Sequence, residues 1–488
     1  MSDTTVIPTG FYENYPALLS EQGLEAMRDH ASRDPDGFWL EQAGRVHWHK
    51  KPTRGFSGSF TGDVSIRWFE DGQLNVSVCC LDRFLTEKAD QVALIAHREG
   101  HGPAERLTYT MLHERVCRLA NALSHLGVEK GQRVAICLPM CSEAVVAMLA
   151  CARIGAVHVV LFGGFSAEGI AERLVDSQAV VVITASTSRR GSKMVPFKET
   201  MDAALLRAGA SSAVHSMLVV RTSDEPVMML PGRDHDYHGF VDHFEADFVP
   251  VIMKAEDPLF MLYTSGSTGK PKAVVHSCGG YIVWAAYTMG MVYTFRPDDV
   301  LWCTADVAWI TGHTSVVYGP LANGGTTMIS DSLPGHPYPG RWWDLVQENR
   351  VTMLFTAPTA VRSMMAEGDE VVKKRDLSSL RLLGVAGEPI SPDAWLWYHD
   401  VVGQKRCPVA DTWWQTETAG VVLGPMPGAQ PLKPGLASPP LPGVALPAIG
   451  PQCKAGEGPG AGARRFARPR PCQAATRLGG PAHGRRSW

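Results

Sequence analysis

The sequence predicts an α/β fold of two lobes, each a parallel sheet covered by helices. Its length of 488 residues holds more than one core-bearing unit, at ~100–200 residues per domain. From Tyr109 onward, short apolar runs alternate with helical patterns, and the same alternation resumes after a Gly/Ser/Thr/Lys-rich stretch over 263–272. The runs are apolar throughout rather than at every second residue, the mark of strands buried on both faces.

The elements follow in order. Residues 1–105 are mixed, with Trp39, Trp48 and Trp68 among turn signals. The stretch 68–81 alternates around Asp71-Gly72 and predicts a hairpin. His47 and His49 fall on the same face of an expected strand, exposed rather than ligating. Leu112, Val116, Leu119, Ala120, Leu123 and Leu126 form one helical stripe, closed by Gly127. Strands are expected over 133–138, 158–161 and 180–184, with helices over 142–154 and 167–176. Past an apolar run at 258–262, further strands fall near 301, 326–329, 353–355 and 380–385. Helices near 342–348, 360–365 and 392–401 separate them. The expected organisation is an N-terminal segment over 1–105 packed on the body, and the two-lobed body over 106–424. A partial β-rich third subdomain over 425–449 and a Gly/Pro/Arg-rich tail over 450–488 complete it. With so few large apolar residues, the tail is expected to be disordered.

Composition narrows the function. Hydrophobic residues make up 45% and charged residues 19% of the chain, as in a globular protein. A net charge of −3 argues against general attraction to nucleic acid or anionic membrane. The apolar run over 134–165 is broken by Pro139, Glu143 and Arg153, which favours a buried core over a membrane span. The first residues, Met-Ser-Asp-Thr-Thr-Val, carry no readable secretory signal. With 11 cysteines besides, the expected setting is a reducing cytoplasm. Cys79-Cys80 and Cys137-x-x-x-Cys141 lack a second ligand pair and read as core packing rather than metal sites.

The chemistry centres on Tyr263-Thr264-Ser265-Gly266-Ser267-Thr268-Gly269-Lys270-Pro271-Lys272. Glycines let a backbone approach a polyphosphate closely, while hydroxyls, amides and ammonium groups supply donors. The spacing is not that of the G-x-x-x-x-G-K-[ST] loop, and Pro271 stands where that loop needs a hydroxyl. Ala386-Gly387-Glu388-Pro389 follows an expected strand, at the carboxyl end where open parallel sheets bind ligands. Asp411-Thr412-Trp413-Trp414-Gln415-Thr416-Glu417-Thr418 and Asp306-Val307-Ala308-Trp309-Ile310-Thr311-Gly312-His313 join aromatic, hydroxyl and carboxylate groups.

Together, in this order, these stretches resemble the acetyl-CoA synthetase family of the AMP-forming, adenylate-making superfamily. Val78-Cys79-Cys80-Leu81-Asp82-Arg83, Phe162-Gly163-Gly164-Phe165-Ser166 and Tyr318-Gly319-Pro320-Leu321 are similar to that family as well. The resemblance runs from the N-terminus to about residue 447. It implies an adenylate-forming large domain and a two-step reaction, in which acetate and ATP give acetyl-AMP and CoA then takes the acetyl group. ATP and CoA are the implied co-substrates and Mg²⁺ the implied metal; no nucleic-acid or membrane partner is expected.

By the same resemblance, Ser265, Ser267, Thr268, Lys270 and Lys272 would hold the β- and γ-phosphates. Thr264, Gly266 and Gly269 would shape that loop, with Lys270 and Thr416 catalytic. Thr416 would contact the α-phosphate and Glu417 would ligate Mg²⁺. Gly387, Glu388 and Pro389 would flank the adenine, with Asp411, Thr412, Trp413 and Gln415 nearby. Trp414 would close an acyl pocket lined by Trp309, Ile310, Thr311 and Ala386, while Arg190, Lys193 and Thr311 would meet CoA.

Departures from the family pattern accompany the likeness. Lys193 stands where a second arginine is usual, losing its bidentate fork, and Gly335 stands where an asparagine is usual. Ala386 and Ile310 each replace a valine, so acetate and propionate both remain open. Residues 450–488 do not resemble the family, whose further region carries the adenylation lysine on a small mobile domain. The sequence therefore reads as a C-terminally truncated ligase with an aberrant tail. The alternatives are a non-catalytic ATP/AMP-binding remnant and a propionate-preferring ligase.

Overall fold

The computed structural model describes residues 6–12, 15, 17–59, 65–223, 225–264, 271–296, 298–437 and 439–445. Among them, two seven-stranded sheets carry the fold. In the first, the order is Asp234–Asp236, Ser216–Val220, Ala179–Ala185, Arg133–Cys137, Val157–Val160, Pro258–Thr264 and Lys272–Ser277. Neighbours run parallel except the last pair, which is antiparallel. In the second, the order is Val409–Asp411, Leu382–Val385, Met353–Thr356, Val300–Cys303, Thr326–Ser330, Val92–His97 and Glu105–Thr108. It too is parallel except at its last pair.

The central strands are buried along their whole length, Ser216–Val220 and Thr326–Ser330 among them. That burial explains runs of Val, Ile, Leu and Met without alternation. Helix Tyr109–His125 starts where the Thr108 hydroxyl accepts the Met111 N–H at 3.2 Å, and buries the expected stripe. Helix Ser142–Ile154 is enclosed almost all round and ends at Gly155, whose φ of 74° gives the left-handed cap. Helix Cys278–Tyr293 is likewise apolar on nearly every face, and Tyr287 Oη donates to Pro442 O at 2.8 Å. Every body strand and helix expected from the sequence is present, within a few residues at its ends.

The N-terminal segment is more than a covering. Strands Val92–His97 and Glu105–Thr108 extend the second sheet, Val92–His97 pairing in parallel with Thr326–Ser330 across more than two hundred residues of chain. Arg153, buried in the first lobe, binds Asp82 through Nη1–Oδ2 at 2.8 Å and Nη2–Oδ1 at 3.0 Å.

The hairpin expected over 68–81 does not form. Ser65–Trp68 pairs instead with Phe56–Ser59, and Gln73–Leu74 pairs with Met253–Lys254. The chain then enters helix Val76–Cys80, capped by Asn75, whose Oδ1 accepts from Ser77 N at 2.9 Å. Asn75 Nδ2 also donates to the carbonyls of Ala152, Arg153 and Val251, so tertiary partners override the local alternation. His47 and His49 are exposed as expected, but in an irregular stretch rather than a strand. Cys79, Cys80, Cys137 and Cys141 are free and buried. Among the described residues, no cluster of three or more His, Cys, Asp or Glu could hold a metal, and no helix is long and apolar enough to cross a membrane. The tail over 450–488 lies outside the described residues.

Candidate active site

The carboxyl ends of the two sheets open onto one cavity of about 800 Å³. From the first lobe, Leu138–Met140 and Phe162–Gly164 reach it just beyond strands of the first sheet, and Ser188–Arg190, a short strand of its own, follows Ala179–Ala185. From the second come Thr304–Asp306, Asp331–Pro334, Thr359–Ala360 and Ala386–Gly387. Side chains and backbone groups beyond strand ends are free of ladder pairing, which makes this edge the ligand edge of parallel sheets.

Gly387 shows why the chain turns there. Its φ is +101°, and a Cβ built on it meets nothing within 4 Å, so the backbone faces open space in a conformation L residues rarely adopt. Ala386 N donates to Thr356 O at 3.2 Å, locking the turn onto the neighbouring strand. Glu388 and Pro389 are exposed beside it. The Glu388 carboxylate is bound by the Thr359 hydroxyl and by Arg362 Nη2 at 3.0 Å, which hold it below the usual carboxylate range.

Two cations guard the mouth. Strands Ser188–Arg190 and Lys193–Val195 form a small hairpin in which Arg190 faces Lys193 in register, and both line the cavity. The Arg190 guanidinium lies 5.1 Å from the Phe162 ring centroid, a cation–π contact that fixes its direction. Trp309, 50% exposed, sits 5.8 Å from Phe162 and projects into the same space. Ile310 is buried at the start of the short helix Ile310–Gly312, while Thr311 lines the wall.

The 411–418 stretch leaves the edge strand of the second sheet. Asp411 is buried, and loss of water pushes its carboxyl up to about 7. Thr412 is pinned by N–H and Oγ1 to Val385 O, at 2.9 and 3.0 Å, and Trp413 N donates to Leu423 O at 2.8 Å. Trp414 is buried and stacks on Phe355, with centroids 6.4 Å apart and planes 16° apart; Phe355 itself lines the cavity. Trp414 thus stands one ring behind the wall. Gln415 N donates to Thr418 Oγ1 at 2.9 Å, the Thr416 carbonyl accepts from His276 Nε2 at 2.9 Å, and Glu417 is exposed.

Of the phosphate stretch, Ser265, Gly266, Ser267, Thr268, Gly269 and Lys270 lie outside the described residues. Their flanks, Thr264 and Lys272, are register partners, with Thr264 Oγ1 donating to Lys272 O at 3.5 Å, so the loop leaves and returns at one place. Asp331, Phe355 and Arg362, outside every stretch singled out in the sequence, also belong here, as does Asp306, which opens one of those stretches. Asp306 and Asp331 are wall carboxyls pushed up by burial, Phe355 backs Trp414, and Arg362 holds Glu388. Their signal was position: each aspartate, like Phe355, sits at or just past the end of an apolar run.

The family model for AMP-binding enzymes matches residues 81–454, and that for the acetyl-coenzyme A synthetase N-terminus matches residues 24–80. The chain belongs to the AMP-binding enzyme family. Among curated members of this family, the chain is 50% identical over 445 residues to an acetyl-coenzyme A synthetase of Caulobacter vibrioides, covering 91% of this chain and 68% of that protein. It is 49% identical over 428 residues to one of Syntrophus aciditrophicus, covering 88% and 66%, and 49% identical over 429 residues to one of Rhizobium rhizogenes, with the same coverage. The chain therefore spans about two thirds of the length of these relatives. The AMP-binding model embraces every strand of both seven-stranded sheets and every loop lining the cavity.

Proposed function

We propose that this chain is an AMP-forming acetate–CoA ligase, acting in the cytoplasm on acetate, ATP and CoA. The observation that carries the reading is a cavity between facing strand ends, lined together by Arg190 and Lys193, by Trp309 and Thr311, and by the Ala386–Gly387 turn. Its likeness to acetyl-coenzyme A synthetases, over about two thirds of their length, supports it.

In the first half-reaction an acetate oxygen bonds to the α-phosphorus of ATP and the α–β bridging P–O bond breaks, releasing pyrophosphate. The chain's part is positional and electrostatic. Gly387 leaves room for the adenine against bare backbone, and Asp411 stands within a loop anchored to Val385. Thr416 orients the α-phosphate, while Thr264 and Lys272 bring the two arms of the phosphate loop together. Trp414 limits the acyl space from behind Phe355; Trp309, Thr311 and Ala386 line it, and Ile310 is buried beside Trp309 in the chain. In the second half-reaction the CoA sulfur bonds to the acetyl carbon and AMP leaves, with Arg190 and Lys193 meeting the anionic CoA at the mouth.

Mg²⁺ fits the donors present. Glu417 offers one exposed carboxylate, and among the described residues no group of three or more His, Cys, Asp or Glu could form a cage. Mg²⁺ favours one or two carboxylates plus substrate phosphates over an all-protein cage. Glu417 would hold it, and the ion would neutralise charge gathering on pyrophosphate.

Pyrophosphate release measured with ATP, Mg²⁺ and acetate tests the reading. Acetate-dependent release is expected. ATP binding with no turnover would favour a nucleotide-binding protein without catalysis, and a chain that binds neither ATP nor AMP would sink both.

A further inference from the structure

The turn carrying Thr416 is gripped from the opposite lobe. His276 lies on Lys272–Ser277, the edge strand of the first sheet, yet its Nε2 reaches the Thr416 carbonyl, beyond the edge strand of the second sheet, at 2.9 Å. A carbonyl can only accept, so Nε2 carries the proton and the ring is a donor there. The ring is wedged by Phe260 and Tyr281, at centroid separations of 4.8 and 5.8 Å, which leaves it little freedom to turn away.

Three residues on, the same turn is held again. Thr314 Oγ1 donates to the Ala419 carbonyl at 2.6 Å, and Tyr281 Oη lies 3.0 Å from Thr314 Oγ1, so Tyr281 braces both grips. Ala419 has a φ of 61°, a left-handed conformation that a residue with a side chain adopts only when its surroundings impose it. Gly420 then sits so close to helix Cys278–Tyr293 that a Cβ would lie 2.6 Å from Trp284 Nε1 and 2.9 Å from Thr288 Oγ1. The turn is therefore seated, strained and tied at both ends by first-lobe side chains or their partners.

We infer that His276 and Thr314 are positioning residues: through the Thr416 and Ala419 carbonyls they set where Thr416 presents its hydroxyl, and they couple that turn to the strand carrying Lys272. The inference rests on the role of Thr416 at the α-phosphate proposed above. A ligand phosphate then finds its contacts from the two lobes already in register. Adenosine, which reaches only the Gly387 and Asp411 side, does not depend on the grip.

The test is calorimetric titration of the full chain with adenosine, AMP and ATP, for the wild type and the variants His276→Leu, His276→Gln and Thr314→Val. His276→Leu is expected to weaken AMP and ATP by ~10-fold or more, as for loss of a hydrogen bond serving a charged group, with adenosine changed less than ~2-fold. The glutamine amide can donate to the same carbonyl, so His276→Gln should restore AMP binding to within ~3-fold of wild type. Thr314→Val, nearly the same shape, should show the same selective loss and reads the effect even where the leucine chain folds poorly. Unchanged AMP affinity in both His276→Leu and Thr314→Val overturns the inference, as does an equal loss for adenosine and AMP, which marks a merely structural role. Wild-type chain that binds adenosine but gains nothing from the phosphate of AMP overturns the role of Thr416 itself, and the inference with it.

Discussion

At the scale of single residues, Trp414 and Asp411 show how burial turns side chains into constraints. Trp414 is supported by the parallel ring of Phe355 and by the Trp413–Leu423 backbone pairing, so its indole cannot easily be replaced by movement of neighbours. Replacing it with glycine leaves a void behind Phe355, into which that wall ring can retreat and deepen the cavity. Trp414→Gly is expected to shift kcat/KM toward butyrate over acetate by ~10-fold or more, since each methylene accommodated is worth that much. Pyrophosphate release across a series of carboxylates checks it, and an unchanged acetate preference would remove Trp414 from the pocket. Asp411 makes a prediction with a definite sign. Its folded carboxyl titrates at about 7 because of burial, against roughly 3.9 in an unfolded chain. Between those values the folded state holds the extra proton, so this group's contribution to stability falls as pH rises from ~4 to ~7. Asp411→Asn has no such proton, and it should gain on wild type by a few kcal/mol across that window. Urea midpoints at pH 4.5 and 7.5 compare the two; a constant difference would show that Asp411 does not titrate there.

At the scale of elements, the legible and the hidden parts of the sequence divide by what decides each. Body strands such as Met353–Thr356 and helices such as Ser142–Ile154 were legible because burial on both sides leaves apolar runs, and Gly155 marks an end. The turn over 386–389 was legible for the same reason, since Gly387 falls just past the apolar run at 380–385. The region 68–81 was not, because Asn75 answers to three carbonyls more than seventy residues away, and no local pattern encodes them. Nor was the place of Val92–His97, whose apolar run announces a strand but not the sheet it joins. The grip of His276 on Thr416 was hidden likewise, since the residues lie 140 positions apart. Asn75 yields the prediction for this scale. Asn75→Ala loses the helix cap and strips donors from buried carbonyls, which should cost roughly 1–3 kcal/mol per group left unsatisfied. Chemical denaturation measures it. A loss under ~0.5 kcal/mol, typical of a surface change, would show that those carbonyls find other partners.

At the scale of the whole molecule, the question is which segments the fold needs. The body has two sheets whose last edges are closed by antiparallel strands, and a buried helix, Cys278–Tyr293, that touches Pro442 through Tyr287. The described residues from 6 to 445 are therefore parts of one packed structure, with Leu441 buried and Ile7 bridged to Leu432. Residues 450–488 differ in kind. Ordering a residue costs roughly 1–2 kcal/mol of backbone entropy, and burial of large apolar side chains is what usually offsets it. In that stretch the large apolar residues are Phe466, Leu478 and Trp488, spaced too far apart to share a helix face or a strand. Pro469, Pro471 and Pro481 would interrupt either element. Deleting 450–488 should accordingly change the unfolding free energy of the body by less than ~0.5 kcal/mol, within the range of a surface substitution. Adding AMP offers a control, because a ligand at 100 times its Kd raises stability by ~2.7 kcal/mol whether or not the stretch is present, provided the cavity is untouched. Urea unfolding of both chains, with and without AMP, decides the matter. A deletion that costs several kcal/mol, or that abolishes the AMP increment, would mean that 450–488 packs on the body despite its composition.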